Sequence, residues 1–360
     1  DATQRGNYLY VALGDFFRRN VRAGLAVIDI SDPKRPKVTA RWRSKTNLHG
    51  AAEVVVDGNE VYLGAMEHGV FVFDVSNKKR VREISNIKLD RNYPRANPNR
   101  VQEPNTRGLA VRGNFLYVAN DAGGLRIVDI SNKRNPREIG KHILRKTGLK
   151  QQAYNNIALN FPYVYIALDY CGMEVVDIRN PRKPKHVGWW NPWRCNTNKN
   201  NWFNSPGHTN QIIFDKRKNQ VFMSAGDSEL QVVDVSNPRK PRFVSKFGRP
   251  KNGQGVWGAT VTDEMIYLTY IRTFVPFRGG WSGIKAETFS IGFGPVLWAR
   301  KDRHGTKWQI AAIPFGGYVK FLGDANAASG KDGEAMEAMP ESELRHTMHG
   351  APLWARSATV

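Results

Sequence analysis

The sequence predicts an all-β protein, a β-propeller of about six four-stranded blades followed by a C-terminal segment of another kind. Three observations carry this. A phrase ending in a conserved-pattern turn returns five times, as in GLAVIDISDPKRP, GLRIVDISNKRNP and GMEVVDIRNPRKP. Its aspartate falls at Asp29, Asp74, Asp129, Asp177 and Asp234, at intervals of 45, 55, 48 and 57 residues, the length of a four-stranded blade with variable loops. A second phrase, seen as YLYVAL, VYLGAM, FLYVAN, VYIALD, VFMSAG and IYLTYI, returns six times, and both rhythms stop near Trp281.

Residues 108–140 show the unit most clearly. GLAVRG reads as a first strand, a Gly-Asn turn leads to FLYVAN, AGG makes a tight hairpin, LRIVDI is the third strand and PREIG the fourth. Period-two alternation of β-branched and aromatic residues supports each strand. The repeated aspartate precedes a Ser/Arg-Asp/Asn-Pro-like turn, where a short carboxylate bonds backbone amides, so it is read as a structural residue of every blade and not as a catalytic one.

Composition agrees. Hydrophobic residues make up 41% of 360, enough for a core, while 33 Gly and 19 Pro indicate many turns. No apolar run approaches the ~20 residues of a membrane-spanning helix, and no span is expected. The chain starts at Asp1 without a basic and apolar leader, as in a mature form or a fragment. The formal charge is +22, yet from Ile284 onward nine Lys and Arg face eight Asp and Glu. The basic character therefore belongs to the first part of the chain.

The phrases IVDIS and VVDVS resemble the LVIVD repeats of secreted bacterial and archaeal propellers, over residues 1–285. The resemblance implies an extracytoplasmic protein, and relatives that accompany multihaem cytochromes make a cytochrome one conceivable partner. The chain has no haem-attachment motif, and no cofactor is expected.

In a blade the turns joining first to second and third to fourth strands lie on one face, and the remaining connections lie on the other. The third-to-fourth turns carry Lys34, Arg35, Lys79, Arg80, Lys133, Arg134, Arg182, Lys183, Arg239 and Lys240, predicted to form a basic rim. Such a rim attracts an acidic protein or a polyanion in a salt-dependent way, or else keeps the turns soluble. Base-specific or stacking recognition of nucleic acid is not expected, since these turns lack interleaved aromatics.

The opposite face receives the long connections GDFFRRNVRAG, Asp90 to Asn105, and Trp189 to Asn210. At the starts of the inner strands, next to the channel mouth, stand His49, Arg107, Asn155, Asn156, His208 and Trp257. They are the candidate ligand- or partner-binding residues. Two histidines near one axis could bind a metal or exchange protons, but no motif supplies them with a carboxylate, and neither a metal site nor a catalytic residue is assigned. Cys171 and Cys195 belong to one blade and to the same face. A disulfide between them would close that loop and suit an oxidising compartment, and two free thiols are the alternative.

From residue 286 to 360 the chain resembles the region between the first two membrane helices of bacterial site-2 intramembrane metalloproteases. Gly292, Phe293 and Gly294 match the family's GFG loop, and Gly316, Gly317, Tyr318, Val319 and Lys320 match its GGYVK strand. The resemblance implies a membrane-associated β-hairpin that presents substrate. The HExxH helix with its two zinc ligands and general base is absent from this chain, and HTMHG, containing His346 and His349, lacks both the glutamate and the i, i+4 spacing. Protease activity is therefore not expected, and this segment is read as a chimeric fragment, with a genuine fusion as the alternative, and not as an independent functional domain; without the helices that would cover its apolar residues, 287–360 is expected to pack loosely or be disordered. The reading as a whole is a non-enzymatic binding or scaffolding module. The competing reading is an accessory subunit of a redox or metal-dependent enzyme that uses the channel-mouth histidines and Trp257.

Overall fold

The computed structural model describes residues 1–16, 19–94, 103–145, 153–195, 206–248, 255–262, 266–271, 286–301, 306–321, 336–339 and 347. Two compact units divide the chain, Asp1–Ala259 and Thr260–Val360.

The first unit is a propeller-like ring of five four-stranded antiparallel blades. Blade 1 is β1 (Ala2–Arg5), β2 (Tyr8–Leu13), β3 (Gly24–Asp29) and β4 (Lys37–Arg43). Blade 2 is β5 (Glu53–Asp57), β6 (Glu60–Gly64), β7 (Val70–Asp74) and β8 (Arg82–Ile87). Blade 3 is β9 (Leu109–Arg112), β10 (Phe115–Ala119), β11 (Leu125–Asp129) and β12 (Arg137–His142). Blade 4 is β13 (Asn156–Asn160), β14 (Tyr163–Ala167), β15 (Met173–Asp177) and β16 (Lys185–Trp190). Blade 5 is β17 (Pro206–Asp215), β18 (Gln220–Gly226), β19 (Leu230–Asp234) and β20 (Arg242–Phe247). The expectation of about six blades is thus corrected to five complete ones among the described residues. The sixth copy of the second-strand phrase is present only as β22 (Ile266–Ile271), preceded by β21 (Gly255–Val261).

Period-two alternation sends each strand's side chains to opposite neighbours. In blade 2, Leu63, Phe71 and Phe73 pack with Leu25 and Val27 of blade 1. Tyr62, Val70 and Val72 from the same strands pack with Leu116, Val118 and Val128 of blade 3. Blade 4 repeats the pattern, with Val164 and Ile166 toward blade 3 and Tyr165 and Val175 toward blade 5. Four successive apolar clusters therefore join five successive blades, the second and third strands of blades 2 to 4 burying both faces.

Polar contacts fix the blades at two heights. On one face, the turn after each second strand bridges the segment entering the next blade: Met66 to Thr106, Asp121 to Tyr154, and Asp169 to Thr209. Each of these turn residues has a left-handed backbone, with φ of 51°, 41° and 51°. Gly226, with φ also 51°, pairs with Val256 of β21 in the same way.

On the other face, the turn between third and fourth strands leans on the outer strand of the preceding blade. In blades 2, 3 and 4 the contact falls on that strand's fourth residue. Ser85 Oγ donates to Lys133 O at 2.7 Å. At Gly140 and Gly188 the approach is closer still, and a Cβ there would lie 2.0 Å from Pro181 O and 2.1 Å from Pro238 O. A register shift between third and fourth strands recurs at the same place in all five blades, after Val27, Val72, Ile127, Val175 and Val232, and is read as a β-bulge that re-aims the outer strand.

In the second unit, β23 (Ala286–Lys301) and β24 (Lys307–Phe321) form a long antiparallel hairpin that is a sheet of its own. Against the expectation of loose packing, the described residues of this part pair as a hairpin, and Gly317 to Phe321 pair within it and not in a blade.

Gly140→Ala and Gly188→Ala each force a methyl group against a turn carbonyl of the next blade. Overpacking of this kind costs about 1–3 kcal/mol, so each variant is expected to melt several degrees lower in thermal denaturation followed by circular dichroism. An unchanged Tm would show that neighbouring blades can slide apart freely.

Candidate functional site

The channel mouth is built by residues that directly follow the inter-blade bridges. Arg107, Asn155, Asn210 and Trp257 come immediately after Thr106, Tyr154, Thr209 and Val256, and so occupy equivalent places. His208 stands two residues before the equivalent position, which is held by Asn210 instead. The irregular register of β17 between Pro206 and Thr209 hides this offset in the sequence. His49 follows the bridge between Val21 and Leu48, four residues before β5 begins.

Arg107 holds the centre. Its Nη1 donates to Asn155 Oδ1 at 2.8 Å and lies 3.4 Å from Asp121 Oδ1. Its guanidinium also sits 5.6 Å from the Phe16 ring centroid and 5.8 Å from that of Trp257. Asn155 Nδ2 donates to Thr209 O at 2.9 Å, carrying the network from blade 3 through blade 4 to blade 5. Asn156 Nδ2 reaches Glu53 Oε2 of blade 2 at 2.8 Å, while its Oδ1 accepts from Ile212 N at 3.2 Å. The innermost strands of blades 2, 4 and 5 are thereby tied together.

Both histidines have carboxylate neighbours that no sequence motif announced. His49 Nδ1 lies 3.1 Å from Glu67 Oε1, and Arg91 approaches the other oxygen at 3.5 Å. His208 Nε2 lies 2.9 Å from Asp169 Oδ1, and its Nδ1 lies 2.8 Å from Asn210 Nδ2. Tyr170 packs edge-on against the same imidazole. With both nitrogens of His208 engaged and its ring covered, the arrangement suits a structural joint better than a metal ligand or a proton shuttle.

Two carboxyls at the mouth are strongly perturbed. Burial pushes Glu53 up to about 7, against hydrogen bonds from Leu109 N and Asn156. Burial likewise pushes Asp121 up to about 7, opposed by Arg107 and reinforced by Asp169. Both groups thus hold protons in the fold at a pH where an unfolded carboxyl has lost its own.

The basic rim has a different construction. In every blade the repeated aspartate accepts the backbone N–H two residues on, from Ser31, Ser76, Ser131, Arg179 and Ser236. A second Asx turn follows, with Asp32, Asn77, Asn132, Asn180 and Asn237 accepting from the backbone of Lys34, Lys79, Arg134, Arg182 and Arg239. These bonds place the basic residues at matched positions in all five turns. Lys34, Arg35, Lys79, Arg80, Arg134, Arg182, Lys183, Arg239 and Lys240 are exposed, and among the described residues none of them makes a side-chain ion pair. Neutralisation of the turn carboxylates falls to Arg82 on Asp74, Arg179 on Asp177 and Arg242 on Asp234. Lys133, half-buried, instead approaches Glu60 at 4.0 Å.

Cys171 and Cys195 form a disulfide. It closes the connection that leaves blade 4, most of which lies outside the described residues.

Position two of the third strand escaped the sequence reading. Counted as three residues before the repeated aspartate, it is Ala26, in a strand that begins one residue earlier, then Phe71, Arg126, Glu174 and Gln231. Fully buried Arg126 donates to Glu138 at 2.7 Å, to Asp90 O at 2.9 Å and to Tyr93 O at 3.1 Å. Fully buried Glu174 accepts from His142 at 2.7 Å, His186 at 2.9 Å and the Tyr154 hydroxyl at 2.5 Å. Burial alone would raise Glu174, but these hydrogen bonds outweigh it and hold its pKa below the ordinary value. Both residues anchor the connections that enter their blades.

Comparison with known proteins separates the same two parts. The LVIVD repeat model matches residues 4–42, 50–88, 105–142, 155–191 and 219–248. The model for peptidase family M50 matches residues 279–360. In that second region the chain is 52% identical over 82 residues to a Rhizobium meliloti protein assigned by name to the zinc metalloproteases, covering 23% of this chain and 22% of that one. It is 42% identical over 84 residues to the metalloprotease MmpA of Caulobacter vibrioides, 21% of each chain. It is also 42% identical over 78 residues to the regulator of sigma-E protease RseP of Salmonella typhimurium, 22% of this chain and 15% of that one. The chain thus spans about a fifth of the length of the curated relatives it matches. Among solved structures, the computationally designed Ika8 protein is similar with a TM-score of 0.48 and 13% identity, over 74% of this chain and 66% of that one. The zinc implied by the metalloprotease names finds no ligand set here: among the described residues no group of three or more His, Cys, Asp or Glu is placed to hold a metal ion. His346 and His349 lie outside the described residues.

Because burial raises Glu53 from about 4.5 to about 7, the fold binds a proton that the unfolded chain releases. Stability from this group is full below the unfolded pKa and declines as pH rises through that interval. Glu53→Gln keeps an acceptor for Asn156 without the charge. It should flatten the fall in Tm between pH 5 and 8 and be the more stable protein at pH 8, by at most about 3 kcal/mol. Parallel pH profiles for the two proteins would show the carboxyl to be solvated.

Proposed function

The chain belongs to the LVIVD-repeat family, and from that premise we propose that its propeller is a non-enzymatic, extracytoplasmic binding module that receives an acidic protein segment or other polyanion on its basic turn face. The observation that carries the reading is the matched geometry of five Asx turns, each holding exposed cations, with the turn aspartates of three of them, Asp74, Asp177 and Asp234, already paired with other arginines. Solubility needs surface charge but has no need of charge in register. A repeated ring of cations suits a partner whose anions recur along its length, because many weak contacts then add. The disulfide supports an oxidising compartment.

We also read β21 and β22 as the first two strands of a sixth blade. The pairing of Gly226 with Val256 repeats the bridge made between each earlier pair of blades. In this reading the hairpin of β23 and β24 adds no catalysis of its own, since this chain carries no HExxH motif.

Poly-L-glutamate is a suitable probe for the turn face. Fluorescence anisotropy at increasing NaCl should show binding that weakens with salt. The triple variant Arg182→Glu, Lys183→Glu, Arg239→Glu should bind roughly tenfold or more weakly, with a shallower salt dependence. Equal affinity and slope in both proteins would leave these residues a role in solubility alone.

A further inference from the structure

A groove lies on the outer edge of the propeller, between blades 1 and 2, toward the face opposite the basic turns. The argument begins with a difference among repeats. In blades 3 and 4 the space beside position two of the third strand is filled by the connection from the preceding blade, held by Arg126 and Glu174. The connection from blade 1 to blade 2 is short, crossing from Arg43, the end of β4, to the bridge at Leu48. Position two in blade 2 is Phe71, which binds no loop. What remains is a groove of about 410 Å³ with Phe71 and Trp42 in its wall.

The polar groups in this groove define what would fit. His68 is only 2% exposed, and its Nε2 has no hydrogen-bond partner among the described residues. The same holds for the carbonyl oxygen of Asn86, a pure acceptor. Both residues line the groove. A buried polar atom without a partner is costly, and two such atoms on residues that line one cavity make it the place to look for a ligand that supplies the missing bonds. Asn86 calls for a donor such as a hydroxyl. Glu83, whose Oε2 accepts from Trp42 Nε1 at 3.1 Å, offers further acceptor capacity.

The cations set the rest. Lys45 and Lys88 also line the groove, and Lys88 Nζ is fixed by donation to His68 O at 2.8 Å. Burial lowers the pKa of His68, and Lys88 lowers it further, so the imidazole is neutral near pH 7 and able to bond a hydroxyl. The occupant therefore carries several hydroxyls, one anionic group for the lysines, and an apolar ring face for the aromatic wall. The volume accommodates one or two pyranose rings.

We propose that this groove binds an acidic sugar, a hexuronate residue, with its carboxylate at Lys45 and Lys88, its hydroxyls at Asn86, His68 and Glu83, and a ring face against Trp42 and Phe71. The site is separate from the basic turns, and the two can fail independently.

Trigalacturonic acid, galacturonic acid and the neutral trisaccharide maltotriose serve as probes against the full chain, with the Trp42 indole N–H resonance followed by NMR after assignment through Trp42→Phe. Trigalacturonate is expected to shift this resonance saturably and maltotriose to leave it in place. Binding of the monomer alone with equal strength would assign the site to a free uronate, and tighter binding of the trimer to a polysaccharide. Lys45→Glu and Lys88→Gln should each weaken binding roughly tenfold. The triple turn variant Arg182→Glu, Lys183→Glu, Arg239→Glu should bind as the parent does. An unmoved indole resonance, maltotriose binding as tightly as trigalacturonate, or full affinity in Lys45→Glu would overturn the proposal. Asn86→Ala, at a residue that makes no side-chain bond among the described ones, provides a further variant if a lysine replacement impairs folding.

Discussion

From blade 2 to blade 5, each blade is held to the next by the backbone at two heights, and much of the molecule follows from that double attachment. One contact is the bridge from a left-handed turn residue, Met66, Asp121 or Asp169, to the segment entering the next blade. The other is the turn carbonyl pressed on the fourth residue of the preceding outer strand, a position occupied by Ser85, Gly140 and Gly188. Apolar burial alone is non-directional and would allow blades to slide. Backbone contacts at both faces remove that freedom, and they need only a small residue at one end and a tolerated positive φ at the other. Both requirements recur with the repeat.

This explains what was legible in the sequence and what was not. The blades were legible because the turn aspartates and the apolar alternation recur, and because each copy uses them for the same bonds. The matched placement of the basic turn residues was legible for the same reason. The mouth was harder. Arg107 and Asn155 were found, but His208 was set level with them although Asn210 holds that position, since the irregular register of β17 breaks the count. The carboxylates beside the histidines, Glu67 and Asp169, lie in turns of other strands and are joined to them only by folding. The expected count of about six blades becomes five complete ones among the described residues, because the stretch after the sixth second-strand phrase, residues 272–285, lies outside them.

Position two of the third strand shows how one fold differentiates its repeats. Arg126 and Glu174 have opposite charges and solve the same problem, since each lies fully buried where a long connection crosses the blade edge. Such a charge is tolerable only with nearly complete hydrogen bonding, and removing its partners would leave it stranded. Each anchor therefore fixes its loop and binds that loop's sequence to its own. Phe71 carries no such obligation. The space beside it is free to acquire a ligand, which is why internal comparison of repeats locates the groove where a motif search would not.

The two faces consequently differ in the kind of recognition they can support. Around the basic turns the same geometry is presented five times, so a partner gains by having many similar anions, and no single contact decides which partner it is. Reversing one turn removes a fraction of the attraction. At the groove, a single constellation of Trp42, Asn86, His68 and two lysines occurs once in the ring, and its unsatisfied atoms discriminate by hydroxyl position and not by total charge. A propeller needs the repeat for its fold but needs departures from it for specificity. Here the departures are confined to the face and edge that the turn-to-strand contacts leave free, so that the chain can vary them without loosening the ring.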